Sequence, residues 1–284
     1  MPMVEATVTG HVPHAGPQAL QIIRFELLRQ LRRRRMIVLL AIAGILAAAL
    51  FAVRRAFGAE GTSAYAYAST YAGFVLTLAA LAATFFGGDA LVGEFEHRTG
   101  YLLFPQPVSR TSIFVGKAMT ALALAFVTVA AYYAIIAATT WAVTGSLPVE
   151  VGYSFLLALL YTTAALGVAF LLSSALRTTT MASVLTFALL FFVLGFASSI
   201  FQFAGVRPDG SLAFAGQTIS NILAGPYPDA YPVDTTINVG PGGGGFRITI
   251  FSPPVGPSIG VMAAWALATF GLALVLYRRR EMTG

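Results

Sequence analysis

Six long stretches of the chain, residues 36–53, 65–87, 118–143, 152–174, 181–204 and 258–277, contain no Asp, Glu, Lys, Arg or His. A hydrocarbon core about 30 Å thick takes roughly 20 apolar residues at ~1.5 Å of rise each. Each stretch is long enough to cross one. Their Ala, Leu, Val and Phe content predicts helices, which satisfy their own backbone groups in lipid. Strands of a β-barrel would alternate polarity over about ten residues, and these runs do not alternate. The predicted fold class is an all-α polytopic membrane protein with six transmembrane helices.

The polar positions organise what lies between. Residues 1–17 show no periodicity and read as a loose tail. Over 18–35, Leu20, Ile23, Leu27 and Leu31 recur at helical spacing, with Arg24, Glu26, Arg29 and Gln30 largely elsewhere on the wheel. That predicts an amphipathic helix lying along the membrane interface; the alternative is a plain cytosolic extension of the first span. A six-span domain then occupies 36–284. Its largest outer segment, 205–257, holds ten Gly and eight Pro, a composition of irregular structure. Within it, 212–224 suits a short helix or a dip into the outer leaflet. The β-branched runs Thr235–Val239 and Phe246–Phe251 flank GPGGGG and predict a hairpin. The segment is thus an irregular, β-hairpin-bearing extracellular cap.

Composition sharpens this picture. The 284 residues are 57% hydrophobic and 10% charged, with a mean hydropathy of +0.80. A soluble domain carries about 25% charge, so a cytosolic enzyme is all but excluded. The absence of cysteine removes disulfides, thiolate metal sites and thiol nucleophiles together. A net charge of +6 raises nucleic acid as a partner, but the positions of the basic residues answer otherwise. With both termini cytoplasmic, that side holds Arg24, Arg29, Arg32–Arg35, Arg98, Arg110, Lys117, Arg177 and Arg278–Arg280, and leaves Arg54, Arg55, Arg207 and Arg247 outside. The positive-inside rule then orients a multi-pass protein of the cell membrane. The charge marks topology and touches anionic headgroups, and no nucleic acid is needed. A signal peptide is a poorer reading of the first run, which follows Arg32–Arg35 rather than a short basic start.

One loop concentrates the remaining charge. Residues 88–117 place Asp89, Glu94, Glu96, His97, Arg98, Arg110 and Lys117 in a chain otherwise nearly free of it. Asp89–Arg98 predicts a short helix with Asp89 at its N-terminal end and Gly100 as its stop. Glu94 and Arg98, four apart, can pair on one face. Pro105 and Pro107 follow as a rigid step. This is a short charged helix held at the membrane surface, a shape suited to docking.

The run E-x-E-x-R-T-G-Y-L-L-F-P-x-P-V-S-R, ending in G-K, resembles the loop of type-2 ATP-binding-cassette (ABC) permeases. The six-span layout behind a basic interfacial helix agrees with that family. The resemblance implies that this loop, between spans 2 and 3, is a cytosolic coupling helix seated in a separate ATPase subunit. It implies roles in ATPase contact for Glu94, Glu96, Arg98, Thr99, Gly100, Pro107, Ser109, Arg110 and Lys117. It also implies a second permease, identical or not. No G-x-x-x-x-G-K-[ST] occurs, because Gly116–Lys117 is followed by Ala118. The chain is therefore not expected to be an enzyme or to hold a cofactor, and ATP and Mg belong on the partner.

Other chemistry finds little support. His11 and His14 sit in the loose tail, and no span holds a His or carboxylate for intramembrane proteolysis or for ion-coupled transport. Glu94 and Glu96 have the wrong spacing for a membrane CAAX protease. Ala41, Gly44, Ala47 and Ala48 allow close helix contact. Hydroxyls of spans 2 and 5, Thr77, Thr84, Ser183 and Thr186, line a candidate path, because by resemblance those helices face a dimer centre. A path without charge suits an exporter of an amphipathic or lipid-like substrate. The alternative is an ABC-type membrane scaffold that assembles or matures an extracellular partner through the 205–257 cap. A lone channel or carrier lacks charged rings.

Overall fold

The computed structural model describes residues 15–56, 63–96, 109–239 and 246–280. Among the described residues it is mostly helical, with one β-hairpin. Helix α1 (Ala15–Arg32) turns at an elbow into α2 (Arg35–Ala56), the first of six helical stretches long and apolar enough to cross a membrane. The others are α3–α5 (Ala64–Ala72, Val75–Gly87, Val92–Glu96), α6 (Arg110–Thr144), α7 (Glu150–Ala175), a broken α8–α9 pair, and α12 (Val255–Arg279). Of these, α4 and α7 form the buried centre, with α6 and α12 packed around them. Small residues make the approach close: a Cβ on Gly87 would stand 2.7 Å from that of Ala169. On α2 the buried stripe is Leu39, Ala43 and Ala47. Of the small residues expected at a helix contact, Ala47 is buried, whereas Ala41 and Ala48 are exposed and Gly44 has open space beside its Cα.

Two spans read as continuous are broken. Span 2 steps through a tight turn at Gly73–Phe74, where the Phe74 amide bonds the Tyr71 carbonyl at 3.1 Å. The Tyr132 hydroxyl of α6 donates to that same carbonyl at 3.0 Å, so a side chain inserted into the ladder fixes the break. Span 5 runs as α8 (Thr179–Phe187), a π-helical turn Ala188–Val193, and α9 (Leu194–Phe203). Its buried residues Ala182, Thr186, Leu190 and Ser198 recur at multiples of four, and the wider turn keeps that drifting stripe on one face.

Between α9 and α12 a cap covers the end of the bundle away from α1. Short helices α10 (Leu212–Gly216) and α11 (Thr218–Asn221) bury Leu212, Phe214 and Ile219 against the spans. The Trp265 indole of α12 donates to the Gly210 carbonyl at 3.0 Å. The expected hairpin is present: β1 (Thr235–Val239) pairs antiparallel with β2 (Phe246–Ile250), Thr235 opposite Ile250. Arg207 ties its base, donating to Asp209 (2.9 Å), Asp234 (3.2 Å) and the Ser252 carbonyl (2.8 Å). Nearby, burial pushes the Tyr231 phenol up to about 12 while its hydroxyl donates to the Pro253 carbonyl. Packing and charge hold this cap in place of disulfides.

Candidate functional site

At the opposite, arginine-rich end, residues 88–96 meet five other elements. The amides of Leu91 and Val92 both donate to the Ser173 hydroxyl of α7, at 3.0 and 3.1 Å. That remote hydroxyl caps the turn entering α5, whose own sequence offers no cap. Glu94 points inward from α5. Its carboxylate lies 3.0 Å from Lys117 Nζ of α6 and accepts from the Tyr277 hydroxyl of α12 at 3.2 Å. Lys117 also donates to the Ala90 carbonyl at 2.9 Å and lies 3.8 Å from Glu26 of α1. Glu26 in turn accepts from Arg29 (2.5 Å) and Gln30 (3.3 Å). Glu26, Glu94 and Lys117 are all buried. A buried ion pair survives desolvation only when further hydrogen bonds satisfy its oxygens and protons, and this network supplies them.

A second cluster clamps the elbow. Asp89 Oδ2 lies 3.3 Å from Arg33 and 2.8 Å from Arg35, and Arg35 also donates to the Phe85 carbonyl at 2.9 Å. Arg34 between them takes a left-handed backbone (φ 56°), which breaks the helix at the elbow. The sequence run Arg32–Arg35 divides: Arg33 and Arg35 reach Asp89, while Arg32 and Arg34 are exposed.

The ends of the neighbouring helices join the same hub. Glu96 accepts the Thr179 amide at 2.7 Å, placing an acid at the N-terminus of α8. Ser109 caps α6, its hydroxyl accepting the Ser112 amide at 3.0 Å. Arg110 donates to the Arg278 and Arg280 carbonyls at 3.1 and 2.9 Å, satisfying the open end of α12. Arg280 stacks 4.2 Å from the Phe95 ring and donates to the Ser174 carbonyl at 3.1 Å. Burial, then the charge on Arg177, lowers its pKa.

Of the residues singled out from sequence, the structure brings Glu94, Glu96, Ser109, Arg110 and Lys117 to this hub. Arg98, Thr99, Gly100 and Pro107 lie outside the described residues, as does the expected Glu94–Arg98 pair. Glu94 is spoken for by Lys117 and Tyr277. Glu26, Asp89, Ser173 and Tyr277 were not anticipated as members. One signal was available: Lys117 is the sole lysine among seventeen basic residues, at the start of an uncharged span. On α1, Glu26 and Gln30 turn toward α6, while Leu20, Phe25, Leu28 and Leu31 are exposed. The buried lysine on α6 gives that face a polar lining.

The candidate path residues fall elsewhere. Thr84 and Ser183 flank the crossing of α4 and α8, where a Cβ on Gly88 would stand 2.8 Å from Ser183 Oγ. The hydroxyls of Thr84 and Thr186 bond back to the Ala80 and Ala182 carbonyls at 2.8 and 2.6 Å, so their own helices use them. Thr77 is half-buried on α4. Among the described residues, no cluster of three or more His, Cys, Asp or Glu could hold a metal ion.

Residues 56–275, well over half of the chain, match the family described as ABC-2 family transporter protein. No curated protein matches it.

Proposed function

Because the chain belongs to the ABC-2 transporter family, and is thus a multi-pass membrane permease subunit of an ABC transporter, we propose that residues 88–96 carry the motion of a separate ATPase into its spans. The single observation that supports this reading is the hub. One short segment is tied by side-chain bonds to the elbow, α6, α7, α8 and α12, and through Lys117 to Glu26 of α1. A displacement of α5 is therefore shared among them rather than absorbed in one loop. Glu94 and Lys117 act as positioning residues that hold α5 on the spans, and Glu96 holds it on α8. The flanking Arg98, Thr99, Gly100 and Pro107 belong to the proposed ATPase contact. ATP-driven closure would then shift the spans between two accessible states. With no ionised side chain along α4 or α8, the cargo is an amphipathic or lipid-like molecule moved outward, and Thr77, Thr84, Ser183 and Thr186 lie beside its route. A second permease completes the unit.

The test begins with mild-detergent purification, from which a P-loop ATPase should co-purify. In vesicles made from that complex, Glu94→Gln/Lys117→Met, which strands neither charge of the buried pair, should insert in the membrane but lose the link between ATP hydrolysis and transport. Recovery of the chain with no such ATPase, or wild-type coupling in the double variant, overturns the reading.

A further inference from the structure

Two cavities lie side by side at the α1–α2 elbow. One, of about 380 Å³, is polar and is lined among others by Arg29, Arg33, Arg35, Asp89 and Lys117. The other, of about 390 Å³, is lined by Phe25, Leu28, Arg29, Arg32 and Arg33. Arg29 and Arg33 belong to both walls. The second is apolar where Phe25 and Leu28, 70% and 50% exposed, line it. An apolar trough opening onto a cationic chamber is the complement of an amphipathic anion.

We propose that this double cavity binds one anionic phospholipid, its phosphodiester between Arg29 and Arg33 and an acyl chain along Phe25 and Leu28. The inference rests on the reading above only in placing this end of the bundle at the membrane surface. Charge balance supports it first. Lys117 is matched by Glu94, and Arg29 by Glu26, whereas among the described residues Arg33 and Arg35 share the Asp89 carboxylate. Those residues leave one positive charge over in the chamber, and Arg32 adds another on the wall of the adjoining cavity. A phosphodiester carries the single negative charge that the chamber needs. A zwitterionic headgroup brings none.

Unmet hydrogen bonding supports it second. Among the described residues Arg29 Nε has no hydrogen-bond partner, a costly state for a donor on a charged group. The atom itself is closed off, and a phosphate oxygen becomes its acceptor once the Arg29 side chain, 36% exposed, turns into the chamber. Arg33 is also the looser arm of the elbow clamp, at 3.3 Å from Asp89 against 2.8 Å for Arg35. It is 43% exposed. It can turn to a phosphate while Arg35 keeps Asp89, so the elbow stays closed on binding. Free phosphate or a soluble phosphoester offers the same oxygens but leaves the apolar trough empty, and on that difference the lipid is chosen.

Native mass spectrometry of the detergent-purified complex, titrated with phosphatidylglycerol, phosphatidylcholine or inorganic phosphate, tests this. Phosphatidylglycerol should bind, and Arg29→Gln/Arg33→Gln should weaken it by about tenfold or more. Arg24→Gln/Arg34→Gln, which removes the same charge from exposed positions on α1 and the elbow, should change it little. Phe25→Gln/Leu28→Gln should weaken the long-chain lipid and spare its six-carbon analogue. Equal loss in the two arginine pairs would reduce the site to diffuse surface charge and overturn it. Equal binding of phosphatidylcholine, or full displacement of the lipid by inorganic phosphate, overturns the lipid assignment. ATPase co-purification is scored in the same samples, so failure of the lipid site is distinguishable from failure of the transporter reading.

Discussion

Lys117 is enclosed by Glu94, Glu26 and the Ala90 carbonyl, with almost no water contact. A charge so placed is fixed by its partners more than by its own burial, because removing one member strands the other in low dielectric. Lys117→Met should therefore destabilise the protein by about 3–5 kcal/mol. Adding Glu94→Gln should restore part of the loss, since the stranded carboxylate is then gone. Thermal unfolding of the two single variants and the double variant in detergent measures the coupling, and strictly additive losses would contradict the pairing. Sequence placed Lys117 and Glu94 in one loop and gave both a docking role. It did not pair them, because their separation of 23 positions carries no local periodicity, and only the approach of α5 to α6 closes it.

At the scale of elements, contacts between helices rest on a few small residues. Gly167 of α7 faces α12 so closely that an added Cβ would overlap Thr269 Oγ1 and come within 3.1 Å of Phe270. Gly167→Ala should cost about 1–3 kcal/mol, the usual penalty of overpacking. Gly44→Ala on α2, where nothing lies within 4 Å, should stay within about 0.5 kcal/mol of the wild type. Denaturant titration of both variants checks the contrast. Six apolar runs were legible because their length and lack of charge need no tertiary information. The turn at Gly73–Phe74 and the π turn at Ala188–Val193 were not. Both depend on what packs beside the helix: the Tyr132 hydroxyl in one case, a buried stripe at intervals of four in the other. The hairpin was legible, since its turn residues and β-branched flanks are a local code.

Across the whole molecule, arginines gather at the α1 end and the Gly- and Pro-rich cap at the other. Their bias predicts an orientation that can be tested directly, because the chain has no cysteine. In intact cells an impermeant maleimide should label Asp229→Cys in the cap and leave Arg24→Cys on α1 unlabelled until the membrane is opened; the reverse pattern would invert the topology. Buried residues are few on α2, the α8–α9 span and α12, and predominate on α3–α5 and α7. The exposed faces are available to lipid and to the proposed second permease. The sequence by itself determined the class of molecule, the number of spans and the hairpin. Each follows from length, charge or turn chemistry within a short window. Only the tertiary structure decided that Glu26 turns inward, that Asp89 holds the elbow, and that Ser173 and Tyr277 complete the hub. The reason is physical: a buried charge selects partners by distance in space, and helices that cross a membrane bring together residues far apart along the chain.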